Sequence, residues 1–199
     1  MFSAVTTRHQ HTKGAFSRLK ERSLAPILDC EVKFPTNEVN SFMEPNLGLS
    51  KEQREGVQKI LAALLADEYV LYTKTRNYHW NVTGPQFNDL HKFFEAQYEA
   101  LDDIVDEVAE RSRSLGGQAL GTLTEFLKQA RLQEEPGKYP AANQMIANLL
   151  TSHEAMIRNL RVDLVACDEK YGDIGTNDFL TGLMEKHEKM AWMLRAFLE

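Results

Sequence analysis

A segment of about thirty residues that contains no helix breaker constrains this sequence more than any other feature. It lies between Gly84-Pro85, a pair that ends a helix, and Gly116-Gly117, which supplies a C-terminal stop after Leu115. The sequence therefore predicts one long helix over about residues 86–115, with another helix ending just before it.

Four side chains of metal-ligand type share one face of this helix. At about 100° per residue, with His91 as zero, Glu95 falls near 40°, Asp106 near 60° and Glu110 near 100°. The rise of about 1.5 Å per residue separates the first pair from the second by roughly 20 Å along the axis. No single ion in one chain can contact both pairs. An antiparallel two-fold partner would bring them together, so the spacing predicts a dimer with two identical composite sites.

His79 adds a ligand from the preceding helix, because it lies about one turn from that helix's end and an antiparallel hairpin would bring it beside His91. Each of these residues, taken by itself, has an ordinary explanation. A single acid is typical of a solvated helix face, and a single histidine is usually a structural or surface residue. Their convergence favours a metal site. Imidazole with carboxylate suits iron, manganese or zinc, and the excess of carboxylates favours iron. The predicted ligands are His79, His91 and Glu95 of one subunit with Asp106 and Glu110 of the other.

The residues around these ligands form a longer pattern. It comprises His79-Trp80-Asn81-Val82, Gly84, Phe87, Leu90-His91, Phe94, Tyr98, Asp106-x-x-Ala109-Glu110-Arg111 and Leu115-Gly116. Over about residues 48–199 the chain thereby resembles the Dps family, the DNA-binding proteins from starved cells, also called mini-ferritins. It departs from that family at Glu95, where aspartate is commoner, so the ligand distance at this position is expected to differ.

The resemblance implies a function. Fe²⁺ would bind at the five predicted ligands, in a di-iron ferroxidase centre at the subunit interface, and be oxidised there, preferentially by hydrogen peroxide. Twelve subunits, assembled from two-fold dimers, would form a hollow shell that stores ferric iron and protects against oxidative stress. A different function is left open, namely a nucleoid protein that shields DNA physically through a basic N-terminal arm.

Two capping boxes predict where helices begin. Ser50 followed by Gln53 opens a first long helix, about residues 51–82, and Thr122 followed by Glu125 opens a short helix, about residues 123–130. A third long helix is expected over about residues 140–171, ending at Gly172, and a fourth begins with Thr176 as its cap.

Four long helices without a credible strand predict an all-α fold, a ferritin-like four-helix bundle. The connection of about 24 residues between the second and third long helices, which carries the short helix, is long enough to cross the bundle from end to end.

No histidine is preceded by glutamate three residues earlier, so the sequence excludes the ferritin centre built from Glu-x-x-His pairs. His153 and His187 are interpreted as structural or surface residues.

Asp173 and Asp178 flank the turn into the last helix. They resemble the acidic residues that line three-fold pores in Dps shells, where rings of carboxylates attract cations. The alternative, an acid favoured at a helix start by the helix dipole, explains Asp178 equally well.

The net charge of −6 combines a basic arm with an acidic body. Residues 1–25 carry five lysines and arginines against Glu21, a balance of +4, which leaves −10 for residues 26–199. We predict a flexible extension over residues 1–47 and one bundle domain over residues 48–199. The arm could bind DNA phosphates, direct the chain to an organelle, lack a role, or precede a true start at Met43.

Two cysteines, Cys30 and Cys167, are too few and too far apart for a disulfide framework or a zinc knuckle. They indicate free thiols in a reducing compartment, so we expect a cytoplasmic protein that associates with the nucleoid if the arm binds DNA. No apolar run approaches the roughly twenty residues that span a bilayer.

Overall fold

Residues 44–199 are described by the computed structural model of this chain, and they form an all-α bundle in which no strand occurs. The predictions for the basic arm and for Met43 lie outside the described residues. The helices are α1 Lys51–Asn81, α2 Phe87–Ser114, α3 Leu123–Gln129, α4 Ala142–Val165 with a π-helical turn Ala166–Lys170, and α5 Ile174–Ala196. The predicted four-helix bundle with a short helix in the crossover is confirmed.

Local hydrogen bonds explain where the helices begin. The Ser50 side chain accepts from the backbone N–H of Gln53, and the Gln53 side chain accepts in return from the backbone N–H of Ser50. Thr122 and Glu125 repeat this arrangement at α3, so both predicted capping boxes are confirmed. The expectation that Thr176 caps the last helix is wrong, because the N-cap of α5 is Asp173.

The helices form two hairpins, with α1 packed mainly against α2 and α4 against α5. Apolar side chains at helical spacing meet between the hairpins, where Leu61, Leu101, Leu149 and Leu183 are at most 1% exposed. Each fully buried leucine stabilises the folded state by roughly 1.5–3 kcal/mol relative to an exposed one.

No helix within residues 44–199 combines the length and apolar character needed to cross a membrane.

A buried carboxylate holds the crossover segment against the bundle. Asp67 of α1 is fully buried, and its oxygens accept from the backbone N–H groups of Arg131 and Leu132 and from Nε of Arg131 at 2.7 Å. The same guanidinium donates to Asp163 of α4 at 2.9 Å. Arg131 thereby joins the segment after α3 to both hairpins.

Candidate metal centre

His79 and His91 lie side by side where the first hairpin turns. Their rings stack with centroids 3.8 Å apart and an interplanar angle of 19°. Nδ1 of His79 is 2.8 Å from the backbone oxygen of His91, and Nδ1 of His91 is 2.9 Å from the backbone oxygen of His79. Each imidazole is therefore fixed by the backbone of the residue that carries the other.

This reciprocal pair of hydrogen bonds determines which nitrogen carries the proton. A carbonyl oxygen only accepts, so Nδ1 of each histidine must donate. In a neutral ring, Nε2 then keeps its lone pair, and neither Nε2 has a hydrogen-bond partner within residues 44–199. A donor bond from the other ring nitrogen is the usual way in which proteins orient a metal-binding imidazole.

Aromatic side chains surround the two imidazoles. Tyr98 meets His79 edge-on at a centroid distance of 5.2 Å, and Phe87 stacks on His91 at the same distance. The Arg76 guanidinium lies 5.3 Å from the ring centres of Trp80 and Tyr98. Desolvation, with help from the negative charges of Glu95 and Glu99, raises the pKa of Tyr98.

The predicted carboxylate ligands all lie on α2. Glu95, one turn after His91, is half-buried, whereas Asp106 and Glu110 are exposed. None of the three carboxylates makes a hydrogen bond or an ion pair within residues 44–199. The structure brings the two histidines together, with Glu95 on the next turn. It does not bring the other two acids to them, and no metal-binding group of three or more His, Cys, Asp or Glu occurs in this part of one chain.

The two acids considered for a pore lie in different environments. Asp173 is 4% exposed, and its carboxylate accepts from the backbone N–H and the hydroxyl of Thr176 and from Arg111 at 3.2 Å. Asp178 is exposed. Asp173 is thus the N-cap of α5, and the pore assignment of either acid stays a prediction.

One cluster of titratable groups was not predicted from the sequence. His153 and His187 are fully buried, which agrees with the structural interpretation and excludes the surface one, and Glu68 contacts His187. The sequence did contain a signal that predicts burial of these three residues, because each lies in the apolar stripe of its helix. Glu68, for example, follows Leu64 and Leu65 by about one turn.

Comparison with known proteins agrees with this fold. The family model of the ferritin-like domain matches residues 58–199. A low temperature-induced, uncharacterized protein of Nostoc sp. is 51% identical over 154 residues, which cover 77% of this chain and 86% of the relative.

Two further proteins carry the Dps name. The DNA protection during starvation protein of Brevibacillus brevis is 37% identical over 150 residues, which cover 73% of this chain and 99% of the relative. The crystal structure of a Dps protein from Vibrio cholerae, described as a member of the ferritin-like diiron-carboxylate superfamily, matches with a TM-score of 0.73. That match has 31% identity and covers 79% of this chain and 98% of the other. This chain belongs to the Dps family of the ferritin-like superfamily.

Proposed function

We propose that the protein is a ferroxidase that binds Fe²⁺ between two subunits, oxidises it with hydrogen peroxide and stores the ferric product. The observation that carries the proposal is the reciprocal clamp of His79 and His91, which presents two Nε2 lone pairs beside an unpaired carboxylate, Glu95. Kinship with diiron-carboxylate proteins supports iron as the substrate.

The remaining ligands are assigned to the partner subunit. Asp106 and Glu110 are exposed and unpaired within residues 44–199, and the rise of an α-helix places them roughly 20–30 Å from His91 along α2. An antiparallel partner helix supplies them across a two-fold axis. Exposed apolar side chains on the short helix, Leu123 at 65% and Leu127 at 60%, give such a partner a surface to cover.

Each group has a chemical role in this scheme. The Nε2 atoms of His79 and His91 bind Fe²⁺ as neutral ligands, and the carboxylates favour the harder Fe³⁺, which promotes oxidation. Two Fe²⁺ ions supply two electrons, so that one peroxide and two protons become two water molecules and no hydroxyl radical is released. Pairing the ions therefore protects the cell while iron is collected.

Assembly beyond the dimer completes the proposal. We infer a dodecameric shell whose interior receives the ferric oxyhydroxide, with exposed Asp178 as the better candidate for a pore acid. Stress protection then follows from the removal of both Fe²⁺ and peroxide, the two reactants that generate hydroxyl radical.

Stopped-flow absorbance tests the proposal. The parent protein and the His79→Ala/His91→Ala variant are loaded anaerobically with Fe²⁺, mixed with peroxide or with oxygen, and followed through ferric absorbance. We expect rapid peroxide-driven oxidation in the parent and a loss of at least about 100-fold in the variant, since ligands act as a unit. Lys92→Ala, an exposed change on the same turn as His91, is the matched control and should retain the parent rate. Equal slow rates in all three proteins would refute the ferroxidase.

A further inference from the structure

Three titratable side chains from three helices form a hydrogen-bonded chain inside the bundle. Nδ1 of His153 on α4 lies 3.0 Å from Nδ1 of His187 on α5, whose Nε2 lies 2.8 Å from Oε1 of Glu68 on α1. All three residues are 0% exposed. They are separate from His79 and His91, and the ferroxidase proposed above does not use them.

This chain leaves polar atoms without partners. Oε2 of Glu68 and Nε2 of His153 are buried and make no hydrogen bond. Leaving such an atom unpaired destabilises the folded state. A second carboxylate oxygen facing a sealed core calls for a ligand, because buried unpaired groups in folded proteins commonly mark a bound ion or water.

The charge of the cluster also favours a cation. The only ion-pair partner of Glu68 within residues 44–199 is His187. No lysine or arginine in this part of the chain lies within ion-pair distance of the buried Glu68 carboxyl group, and a carboxylate buried without such a partner is costly.

We propose that the bundle core contains a second metal site, for one divalent transition-metal ion, with both oxygens of Glu68 and Nε2 of His187 as ligands. Two ligand atoms about 2.0–2.2 Å from one ion and at right angles to each other lie about 3 Å apart. The 2.8 Å between Oε1 and Nε2 is close to this spacing. The ion takes the place of the Nε2 proton of His187 and gives Oε2 a partner. The number of protons is unchanged, because His187 then carries its proton on Nδ1 and His153 carries its own on Nε2.

His153 is the positioning residue of this site. When Nε2 of His187 binds the ion, Nδ1 of His187 carries the proton and donates it to Nδ1 of His153 at 3.0 Å. That bond orients the imidazole that binds the ion, and loss of such an outer partner typically lowers metal affinity 10–100-fold. A carboxylate with an imidazole suits Zn²⁺, Fe²⁺ or Mn²⁺.

Co²⁺, which reports its coordination through visible absorption bands, is the probe. The experiment uses a full-length background that lacks all five interface ligands, H79A/H91A/E95Q/D106N/E110Q, so its outcome is independent of the ferroxidase. Co²⁺ is added both to folded protein and during refolding, since the core is closed to solvent. We expect about one Co²⁺ per chain that chelators remove slowly.

Matched substitutions identify the ligands. Glu68→Gln or His187→Gln should lower Co²⁺ affinity at least 100-fold and abolish the bands, whereas His153→Gln should weaken binding about 10–100-fold and keep them. Glu188→Gln, on the surface next to His187, is the control and should change nothing. Should a ligand variant unfold, Glu68→Leu/His187→Leu removes both groups with apolar replacements that cores tolerate. The site is disproved if the folded background binds no Co²⁺, or if Glu68→Gln binds it as well as the background does.

Discussion

Nδ1 of His79 and Nδ1 of His91 each donate to the backbone carbonyl of the other residue, at 2.8 and 2.9 Å. Twelve positions apart in sequence, the two imidazoles thus orient each other across the α1–α2 turn. Because the acceptors are backbone atoms, this half of the proposed centre is built before any partner or metal arrives. In the proposed centre, a second chain supplies the acids at the far end of α2.

Mixed dimers provide a direct test of that division. One variant, His79→Ala/His91→Ala, keeps the acids, and the other, Asp106→Asn/Glu110→Gln, keeps the histidines. Each alone should be inactive. When the two variants are refolded together in equal amounts, half of the dimers are mixed, and each mixed dimer has one intact site out of two. A quarter of all sites are then intact, so we expect about a quarter of the parent rate. A mixture as inactive as its components would mean that the ligands do not come from different subunits.

Glu95 is the predicted ligand at which this chain departs from the commoner aspartate. Its carboxylate is unpaired within residues 44–199 and lies one turn from His91. We expect Glu95→Gln to slow iron oxidation at least about 10-fold, because the negative charge is lost. Glu95→Asp, the matched control, keeps the charge and should stay within about threefold. Stopped-flow rates compare the two, and equal losses would show that side-chain length matters as much as charge.

The helix boundaries and the histidine pair were predictable because their signals are local. The boxes of Ser50 and Thr122 specify two helix starts, and the breaker at Gly84-Pro85 makes a hairpin that brings His79 beside His91. The cap of α5 was missed for a different reason. Asp173 is held by Arg111 of α2, 62 positions away, and the sequence does not reveal such a partner.

The core cluster illustrates the same limit. Glu68 and His187 are 119 positions apart, and His153 and His187 are 34 apart. Their places in apolar stripes predict burial, but their contact depends on how α1, α4 and α5 rotate against one another. Packing of the whole bundle determines those rotations. The π-helical turn at Ala166–Lys170 was likewise hidden inside a segment correctly predicted as helix up to about residue 171.

Asp67 should be a main determinant of stability. Asp67→Asn removes the charge from a fully buried group that accepts from Arg131 and two backbone N–H groups, and leaves a mismatched amide in its place. We expect the free energy of unfolding to fall by about 3 kcal/mol. Lys51→Ala, which removes an exposed pair with Glu55 at 4.0 Å, should change it by less than about 0.5 kcal/mol. Urea unfolding measures both, and similar small effects would contradict the role of Asp67.

Cys167 should make stability fall at alkaline pH. Burial raises the pKa of Cys167 to about 12 from 9.0. Above pH 9 the unfolded chain therefore loses a proton that the folded chain keeps, and stability declines as pH rises, by at most about 1.4 kcal/mol per pH unit. In a Cys30→Ser background, the decline between pH 9 and 11 should exceed that of the same chain with Cys167→Ala. Parallel curves, or rapid alkylation of the folded thiol at pH 8, would contradict its burial.

The basic residues before position 26 predict a salt-dependent affinity for DNA if the arm has that role. The net charge of −10 on residues 26–199 opposes DNA binding through the rest of the chain. We expect full-length protein to shift a DNA fragment at low salt and to release it between about 50 and 200 mM salt, because phosphate contacts exchange with counterions. Deletion of residues 1–42 should abolish the shift while leaving peroxide-driven iron oxidation unchanged. If neither form shifts DNA at low salt, physical shielding of DNA by this protein is excluded, and protection must come from iron chemistry alone.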